Sequence, residues 1–452
     1  MRRDLAMKRR LMAPASVLAA AALVLSACSG GDSSTSTSSD AGSDTGNDAA
    51  SGEAVTLTLA GWSLATTPEF EALADGFMAA NPNITIDVED YDVNNYETQI
   101  TADLAAGVAP DIYTVKQLMT FPTFQEGGQL MDVSDVAAEI SPDVATLEHY
   151  EVDGITYAVP YRADAWYLYY NADLFETAGV EIPDGQWTWE DFDQAASDVT
   201  AGLAAAGNTD ALGNYQHSWA STVQGFANAQ GQGDGEFLEA EWDYMVPFYE
   251  EALARQAEGS QVDFGAITTN SLTYQGQFGT QKAAMMVMGS WYVATYLSQV
   301  ESGDAESFSW GFAPVPQQTT ETAENPVTFG SPTAMGINPA IDESKVSAAK
   351  AFLTYIASED AAIALAEIGI TPALTNDAVA DAMFAKDGMP TDDLSRFAFT
   401  THQTALEVPL GTDSPGLQTV LGDAHTAIMS GSVSPQDGIA EAMERAKSEV
   451  LD

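Results

Sequence analysis

The sequence has very little cysteine and few positive charges. Its 452 residues contain one cysteine, Cys28, so no disulfide can form within the chain and no cysteine metal cluster can be built from it. Lysine and arginine number 15 against 66 aspartates and glutamates, which gives a formal net charge of −51. A surface of that charge repels the phosphates of nucleic acids and of anionic lipids. The charge therefore argues against a nucleic-acid-binding protein.

Motifs of the common enzyme classes are also missing. The four histidines are isolated, with no H-E-x-x-H spacing, and there is no G-x-S-x-G nucleophile motif and no P-loop. Asp90-x-Asp92-x-Asn94 opens like a calcium loop, but Asn95 and Thr101 stand where such a loop needs glycine and glutamate. The motifs therefore indicate no catalytic centre, metal site or cofactor. Glycoside hydrolases use a pair of carboxylates, and pairs of acids are so frequent in this chain that the sequence does not exclude this class.

The start of the chain has the pattern of a secretion signal. Basic residues fill positions 2–10, and an apolar run follows from Leu11 to Leu25, too short to span a membrane comfortably. The run ends in Leu25-Ser-Ala-Cys28, which resembles the lipobox of bacterial lipoproteins. In that class the signal is cut before the cysteine, whose thiol is lipidated. We therefore expect a signal peptide at 1–27 and a lipid on Cys28.

A polar tether is predicted after the cysteine. Residues 29–53 are mostly Ser, Gly, Thr, Asp, Ala and Asn and include no aromatic residue. Such a composition cannot bury a core and stays solvated. We expect a flexible linker at 28–54 that connects the lipid anchor to a folded body at 55–452.

The body begins with alternating strands and helices. Val55–Leu59 has a strand pattern, Pro68–Ala80 a helix pattern that stops at Asn81-Pro82, and Ile84–Val88 a second strand pattern. A helix over 96–107 closes at Gly107. This order predicts a mainly parallel sheet in an α/β fold. Further helices are predicted at 190–205, 236–255, 281–299, 344–368, 376–386 and 434–450.

One segment resembles a known family. The sequence VDGITYAVPYRADAWYLYYNADLFETAGV, residues 152–180, is similar to the central signature of the family 1 extracellular solute-binding proteins of carbohydrate ABC importers, the maltose-binding-protein-like class. VTLTLAGW at 55–62, TWEDF at 188–192 and AAMMVMGSWYVATY at 283–296 are similar to other pieces of that family. The resemblance covers nearly all of 55–452.

The resemblance implies a two-lobe periplasmic-binding-protein-like fold with hinge crossings (type II), in which the lobes close over a ligand held between them. Crossings near 163–165, 312–315 and 357–359 divide the body into lobe 1, residues 55–163 and 313–357, and lobe 2, residues 164–312 and 358–452.

Aromatic residues are the first candidates for a sugar site, because flat rings pack against the C–H face of a pyranose. The resemblance places Trp291, in Gly289-Ser290-Trp291, where the family commonly has a stacking aromatic. Trp219 lies where relatives supply another, and Trp62 follows the first strand, at the edge where a parallel sheet opens its crevice. Each tryptophan could instead be a packing residue of the core.

Charged and polar candidates lie at the first crossing and at strand ends. Tyr161, Arg162 and Asp164 occupy the crossing, and Asp164 falls where the maltose-binding class carries an acidic ligand contact. A structural ion pair between Arg162 and Asp164 is the alternative reading. The remaining candidates are Asp111 and Lys116, which we expect at the end of the third strand, and Ser331, in a loop whose backbone could donate to a hydroxyl.

The resemblance implies a binding protein and not an enzyme. We expect a monomer without a cofactor or metal, held by its lipid anchor alone at the extracellular face of the bacterial cytoplasmic membrane. There it would capture a carbohydrate, expected to be an oligosaccharide, and deliver it to the membrane subunits of an ABC permease. The alternatives left open are a secreted glycoside hydrolase and a sister binding protein for a polyamine or a peptide.

Overall fold

The structure is a computed structural model that describes residues 54–65, 68–231 and 234–451. The predicted signal peptide, Cys28 and all of the predicted linker except its last residue lie outside the described residues. Among those that are described, no helix combines the length and the apolar character that crossing a membrane requires.

The described strands and helices alternate over the first half of the body, and helices predominate toward its end. The strands are β1 Val55–Trp62, β2 Ile84–Tyr91, β3 Ile112–Val115, β4 Glu151–Val152, β5 Ile155–Thr156, β6 Val159–Ala163, β7 Trp166–Asn171, β8 Leu212–Tyr215, β9 Ala283–Gly289, β10 Trp310–Pro314, β11 Val327–Gly330, β12 Pro332–Ile337 and β13 Gln403–Leu406. The helices are α1 Glu69–Ala80, α2 Tyr96–Ala106, α3 Phe121–Glu126, α4 Ser134–Ala137, α5 Ala172–Ala178, α6 Trp189–Ala205, α7 Ser221–Gln230, α8 Asp234–Leu238, α9 Val246–Glu258, α10 Phe264–Asn270, α11 Tyr274–Phe278, α12 Tyr292–Ser302, α13 Glu343–Ile356, α14 Glu359–Glu367, α15 Asp377–Ala385, α16 Asp393–Thr400, α17 Ser414–Met429 and α18 Pro435–Glu449.

The first sheet has the strand order β2-β1-β3-β12-β6. β1 runs parallel to both β2 and β3, with α1 and α2 as the crossover helices. Parallel neighbours need such crossovers, so the parallel arrangement predicted from the strand and helix order is confirmed for these three strands. β12 is antiparallel to β3 and β6 and extends the sheet to its other edge, so the sheet is mixed and the prediction of a mainly parallel sheet is wrong beyond β1, β2 and β3.

The second sheet has the order β10-β7-β9-β8. Only Asp164 and Ala165 separate β6 of the first sheet from β7 of the second. At the start of β7, Trp166 pairs with Gly289 at the end of β9. This register places Ser290 and Trp291 beside the segment where the chain passes from one sheet to the other.

A third, two-stranded sheet joins β11 to β13 near the same segment. The Thr328 hydroxyl donates to the Trp166 carbonyl oxygen at 2.8 Å, and Pro332 pairs with Ala163. Ser331, which connects β11 to β12, therefore lies beside the passage between the two larger sheets.

Helix α1 shows how the apolar spacing of the sequence fixes the packing. Its buried residues Phe70, Leu73, Ala74 and Phe77 lie on one face, as an amphipathic helix requires. Phe77 packs edge to face against Phe352 of α13, with ring centroids 5.2 Å apart. This contact fixes the last turns of α1 against α13.

Several local turn and cap signals have the structure that the sequence predicts. Asp153 and Gly154 have φ angles of 54° and 78° and join β4 to β5, as an Asp-Gly hairpin requires. Thr188 and Asp191 form the predicted capping box at the start of α6. Gly107 ends α2 in the left-handed conformation.

The predicted helix over 281–299 is wrong in its first half. Residues Ala283–Gly289 form β9, which is buried along its whole length between β7 and β8, and α12 begins only at Tyr292. A short apolar run that is buried on both faces has no alternating pattern, so periodicity cannot distinguish it from a helix. Pairing with two neighbouring strands decides the structure.

Two other predicted helices are each divided in the structure. The helix over 236–255 is interrupted between α8 and α9, and Pro247 lies in the first turn of α9, where its missing N–H costs nothing. The helix over 344–368 is divided at Ala357, and the Ser358 side chain caps α14 by accepting from Ala361 N–H.

Candidate functional site

A buried ion network occupies the segment between the two large sheets. The Arg162 guanidinium donates from Nη1 to Glu69 Oε2 at 2.7 Å and from Nε to Asp164 Oδ2 at 2.8 Å. The Tyr161 hydroxyl donates to Glu69 Oε1 at 3.1 Å. The structure therefore brings Tyr161, Arg162 and Asp164 together, and it adds Glu69 from the first turn of α1, which the sequence analysis did not select.

The network is largely desolvated. Glu69 is 1% exposed, and burial raises its pKa even though the nearby Arg162 charge opposes that rise. Both anionic partners converge on one guanidinium, so the geometry matches the structural ion pair that the sequence left as an alternative. A network of this kind holds α1 to the end of β6.

Asp164 connects this network to the end of β9. Its Oδ1 accepts a hydrogen bond from the Ser290 hydroxyl at 2.8 Å, and the Ser290 N–H donates to the Ala165 carbonyl oxygen at 2.8 Å. Ser290 directly precedes Trp291. A side chain at Gly289 would collide with the Trp291 ring, so this glycine lets the indole lie against the strand.

Trp291 belongs to an aromatic patch made of His217, Trp219, Tyr274 and Trp291. The ring centroids are 6.4 Å apart between Trp219 and Trp291 and 5.6 Å apart between Trp219 and Tyr274. The His217 ring centroid lies 4.5 Å from that of Trp219. Trp219 is 41% exposed, a large exposed fraction for a tryptophan, so the patch presents aromatic rings to solvent.

Buried polar groups hold the backbone of the Trp219 loop. His425 of α17 contacts the Ser218 carbonyl oxygen through Nε2 at 3.2 Å, and its Nδ1 lies 3.2 Å from the Tyr249 hydroxyl. Burial lowers the pKa of His425 to about 4. The neutral ring can then donate from Nε2 and accept at Nδ1. The Thr222 hydroxyl donates to the Trp219 carbonyl oxygen at 2.7 Å, so this exposed tryptophan stands on a fixed backbone.

Trp62 and Lys116 lie together at the carboxyl ends of β1 and β3. The Trp62 ring is only 7% exposed and packs edge to face against Phe70 and Tyr96, at centroid distances of 4.8 and 5.1 Å. Lys116 Nζ is 5.8 Å from the Trp62 ring centroid and 3.6 Å from Glu97 Oε1. Most of the Trp62 surface is therefore used in packing.

Asp111 lies at the opposite end of β3 from Lys116, although the sequence analysis placed both at the same end. Its Oδ2 accepts hydrogen bonds from Thr58 N–H and from Lys345 Nζ, each at 2.9 Å. The Asp111 N–H donates to the Thr58 hydroxyl. The structure does not bring Asp111 together with the other candidate residues, and its contacts tie β3 to β1 and to α13.

Glu407 is a further acidic residue near the passage that the sequence did not identify. It follows β13, and its N–H donates to the Gly330 carbonyl oxygen at 3.0 Å, next to the candidate Ser331. Burial raises the pKa of its carboxyl group to about 7, with Ser221 opposing the rise and the charge of Asp164 adding to it. Its partners lie far from it in sequence, and acids are common in this chain, so no local signal marks it.

Within the described ranges, no three His, Cys, Asp or Glu side chains come together as metal ligands would. What the site does offer is an aromatic surface beside hydrogen-bonding carboxylates. Flat rings and planar polar groups are the features that bind the two faces of a sugar ring.

Comparison with known proteins identifies the family. A model of the bacterial extracellular solute-binding proteins matches residues 61–363, about two thirds of the chain. The chain belongs to this family. Members of this family are extracellular solute-binding proteins, so the chain is a binding protein and not an enzyme.

Individual relatives of this solute-binding protein are distant. A putative binding protein of Brucella abortus is 26% identical over 291 residues, which cover 59% of this chain and 64% of the relative. The mannitol-binding protein of Pseudomonas aeruginosa is 25% identical over 325 residues, 68% of this chain and 70% of the relative. The alignment thus spans less than two thirds of the Brucella protein.

A solved structure supports the fold. A sugar transporter from Rhizobium etli, in an open conformation, is 28% identical and superimposes with a TM-score of 0.74. The superposition covers 87% of this chain and all of that chain. The predicted two-lobe periplasmic-binding-protein-like α/β fold is therefore confirmed.

Proposed function

We propose that this solute-binding protein captures a carbohydrate in a cleft between two lobes and delivers it to an ABC permease. The observation that carries the proposal is the exposed Trp219 beside Trp291 and Tyr274, next to the passage between the two sheets. An exposed aromatic surface of this kind suits the C–H face of a sugar ring. The similarity to a mannitol-binding protein and to a sugar transporter supports the same class of ligand.

The ligand we propose is an oligosaccharide. Trp219 and Trp291 have separate rings whose centroids are 6.4 Å apart and whose planes differ by 50°. Two rings at different tilts can pack against different sugar units. Asp164, Ser331 and Glu407 lie nearby as partners for hydroxyl groups.

The lobes we propose follow the two large sheets. Lobe 1 contains β1, β2, β3, β6 and β12, and lobe 2 contains β7, β8, β9 and β10, which agrees with a first crossing at 163–165. Because β10 pairs with β7 up to Pro314, we place the second crossing after that residue instead of at 312/313. Thr371 and Ala373 hydrogen-bond β6, so we place the third crossing after 374 and not near 358.

We also propose that a lipid on Cys28 holds the protein at the extracellular face of the cytoplasmic membrane, with the linker as a tether. We propose that the protein acts there as a monomer. Support comes from the lipobox-like sequence and from the extracellular family. Metabolic labelling with a radioactive fatty acid should mark the wild type and not Cys28→Ser. Equal labelling of both would contradict the anchor.

A thermal-shift screen of the full chain tests the ligand class. A ligand that binds only the folded state raises stability by RT ln(1 + [L]/Kd), about 2.7 kcal/mol at a hundredfold excess over Kd. We expect a clear shift with a saccharide or a polyol and none with polyamines or peptides. A shift with a polyamine or a peptide alone would contradict the proposal, and so would no shift with any saccharide.

A further inference from the structure

Glu407 is held in a fixed position by its own backbone. Its N–H donates to the Gly330 carbonyl oxygen, and its carbonyl oxygen accepts from Asn228 Nδ2, both at 3.0 Å. The first bond fixes Glu407 to the end of β11 and the second fixes it to α7. The direction in which its side chain leaves the backbone is therefore set by two elements that belong to different parts of the sequence.

Glu407 lies near the segments that carry both tryptophans. Asn228, which bonds its carbonyl oxygen, belongs to α7, and that helix begins at Ser221, two residues after Trp219. Gly330, which accepts from the Glu407 N–H, lies so close to Asp164 that a Cβ at Gly330 would collide with the Asp164 carbonyl oxygen. Asp164 in turn accepts from Ser290, which precedes Trp291. Ser221 and Asp164 also affect the pKa of the Glu407 carboxyl group.

The positive charges of this region already have anionic partners. Arg162 is bonded to Glu69 and Asp164, and Lys116 lies against Glu97. Glu407 has no salt bridge to a Lys, Arg or His among the residues that the structure describes. Burial raises the pKa of its carboxyl group to about 7, and the negative charge of Asp164 contributes to that rise. The site therefore contains an acid without a cationic partner, and a ligand can supply a hydrogen-bond donor to it.

We infer that Glu407 is a specificity-determining residue that accepts a hydrogen bond from a hydroxyl group of the bound saccharide and excludes sugars that carry a phosphate or a carboxylate. This inference rests on the proposed carbohydrate-binding function. A hydroxyl donor satisfies the carboxylate, whereas an anionic substituent meets the unpaired charge of Glu407, and Arg162 is already bonded to Glu69 and Asp164. Two like charges in a partly desolvated site repel one another much more strongly than in water.

Calorimetric titration of the full-length protein with matched ligands at pH 8, above the pKa of Glu407, tests the inference. The pairs are D-mannitol with D-mannitol 1-phosphate, D-glucose with D-glucose 6-phosphate, and maltose with maltose 6′-phosphate. We expect at least one neutral ligand to bind the wild type at least tenfold more tightly than its phosphorylated partner. If a phosphorylated ligand binds as tightly as its neutral partner or more so, the inference is wrong while carbohydrate binding stands. If none of the six binds, the saccharide with the largest thermal shift and its monophosphate are compared by the same criterion. Only the absence of a shift with any saccharide would contradict both proposals.

Variants at Glu407 distinguish a specific role of this residue from the effect of the overall negative charge of the protein. Glu407→Gln should reduce affinity for the neutral ligand. It should also reduce the ratio of the Kd of the phosphorylated ligand to the Kd of the neutral ligand at least threefold. Glu139→Gln, at an exposed acid elsewhere, should change neither. An unchanged difference in a folded Glu407→Gln protein would overturn the inference. Should that variant not fold, Glu407→Asp keeps the charge on a shorter side chain. It should lose affinity for the neutral ligand and still reject the phosphate, and unchanged neutral affinity would overturn the role.

Discussion

The ion network around Arg162 and the aromatic patch around Trp219 lie at the same passage between the two sheets, but they differ sharply in exposure. Glu69 of the network is 1% exposed, and its carboxylate is satisfied within the protein by Arg162 and Tyr161. Trp219 of the patch is 41% exposed and keeps a ring surface free for contact. The comparison teaches that residues at a binding cleft divide into groups that hold the scaffold and groups that are available to a ligand.

Removal of the Arg162 side chain should break the buried ion network, and it should have the largest effect on stability of the changes considered. Arg162→Ala leaves Glu69 and Asp164 buried without their partner, and loss of one member of a buried ion pair typically costs about 3–5 kcal/mol. We expect urea unfolding to show a loss of that size at pH 7. The exposed Arg445, which contacts Asp423 and Glu449, provides the control, and Arg445→Ala should have a much smaller effect. An equal loss of stability in the two variants would contradict the assignment of the Arg162 network to residues that stabilise the fold.

Glu407 should give a pH-dependent contribution of the opposite sign from an ordinary ion pair. Its folded pKa of about 7 lies above the usual value of 4.5, so the folded state holds a proton that the unfolded state releases first. Stability should therefore fall as pH rises from about 4.5 to 7, by up to about 3 kcal/mol. Glu407→Gln should be more stable than the wild type at pH 8 and similar to it at pH 5, measured by urea unfolding. A variant that is equally destabilised at both pH values would contradict this reading.

Removal of the exposed ring should affect the ligand more than the fold. Trp219→Ala should weaken saccharide binding by about 2 kcal/mol, roughly thirtyfold in Kd, as expected for a tryptophan at the centre of a binding site. Because the ring is exposed, stability should change by less than about 1 kcal/mol. Calorimetry and urea unfolding measure the two effects. Trp187→Ala, which removes a half-buried tryptophan that packs near Phe175, should leave Kd unchanged.

The smallest effect is expected at Asp111, which the sequence grouped with the ligand residues. Asp111→Asn weakens the contact with Lys345 and a charge-assisted bond from Thr58 N–H, which should cost about 1 kcal/mol of stability. Because Asp111 lies at the far end of β3, we expect no change in Kd. A tenfold loss of affinity in this variant would show that the ligand site extends further than the aromatic patch.

The parts of the fold that local signals determine could be predicted from the sequence. The first strands and helices follow apolar periodicity, and the Asp153-Gly154 hairpin and the Thr188 capping box follow from turn and cap chemistry. β9 could not be predicted, because its structure depends on pairing with β7 and β8, which lie far away in sequence.

The site was only partly predictable for the same reason. Trp219 and Trp291 could be selected as aromatic candidates, but their exposure depends on neighbours from several elements. Arg162 and Asp164, two residues apart in sequence, suggested an ion pair, whereas Glu69 comes from a helix more than ninety residues earlier. The backbone partners of Glu407, Gly330 and Asn228, come from other elements that lie far from it in sequence, so nothing in its own segment marks it.

The most direct test of the central claim is a crystal structure of the protein with the saccharide that gives the largest thermal shift. The account predicts electron density for sugar rings packed on Trp219 and Trp291, with a hydroxyl group within hydrogen-bond distance of Glu407. Sugar density in a different part of the molecule, with the aromatic patch open to solvent, would contradict it.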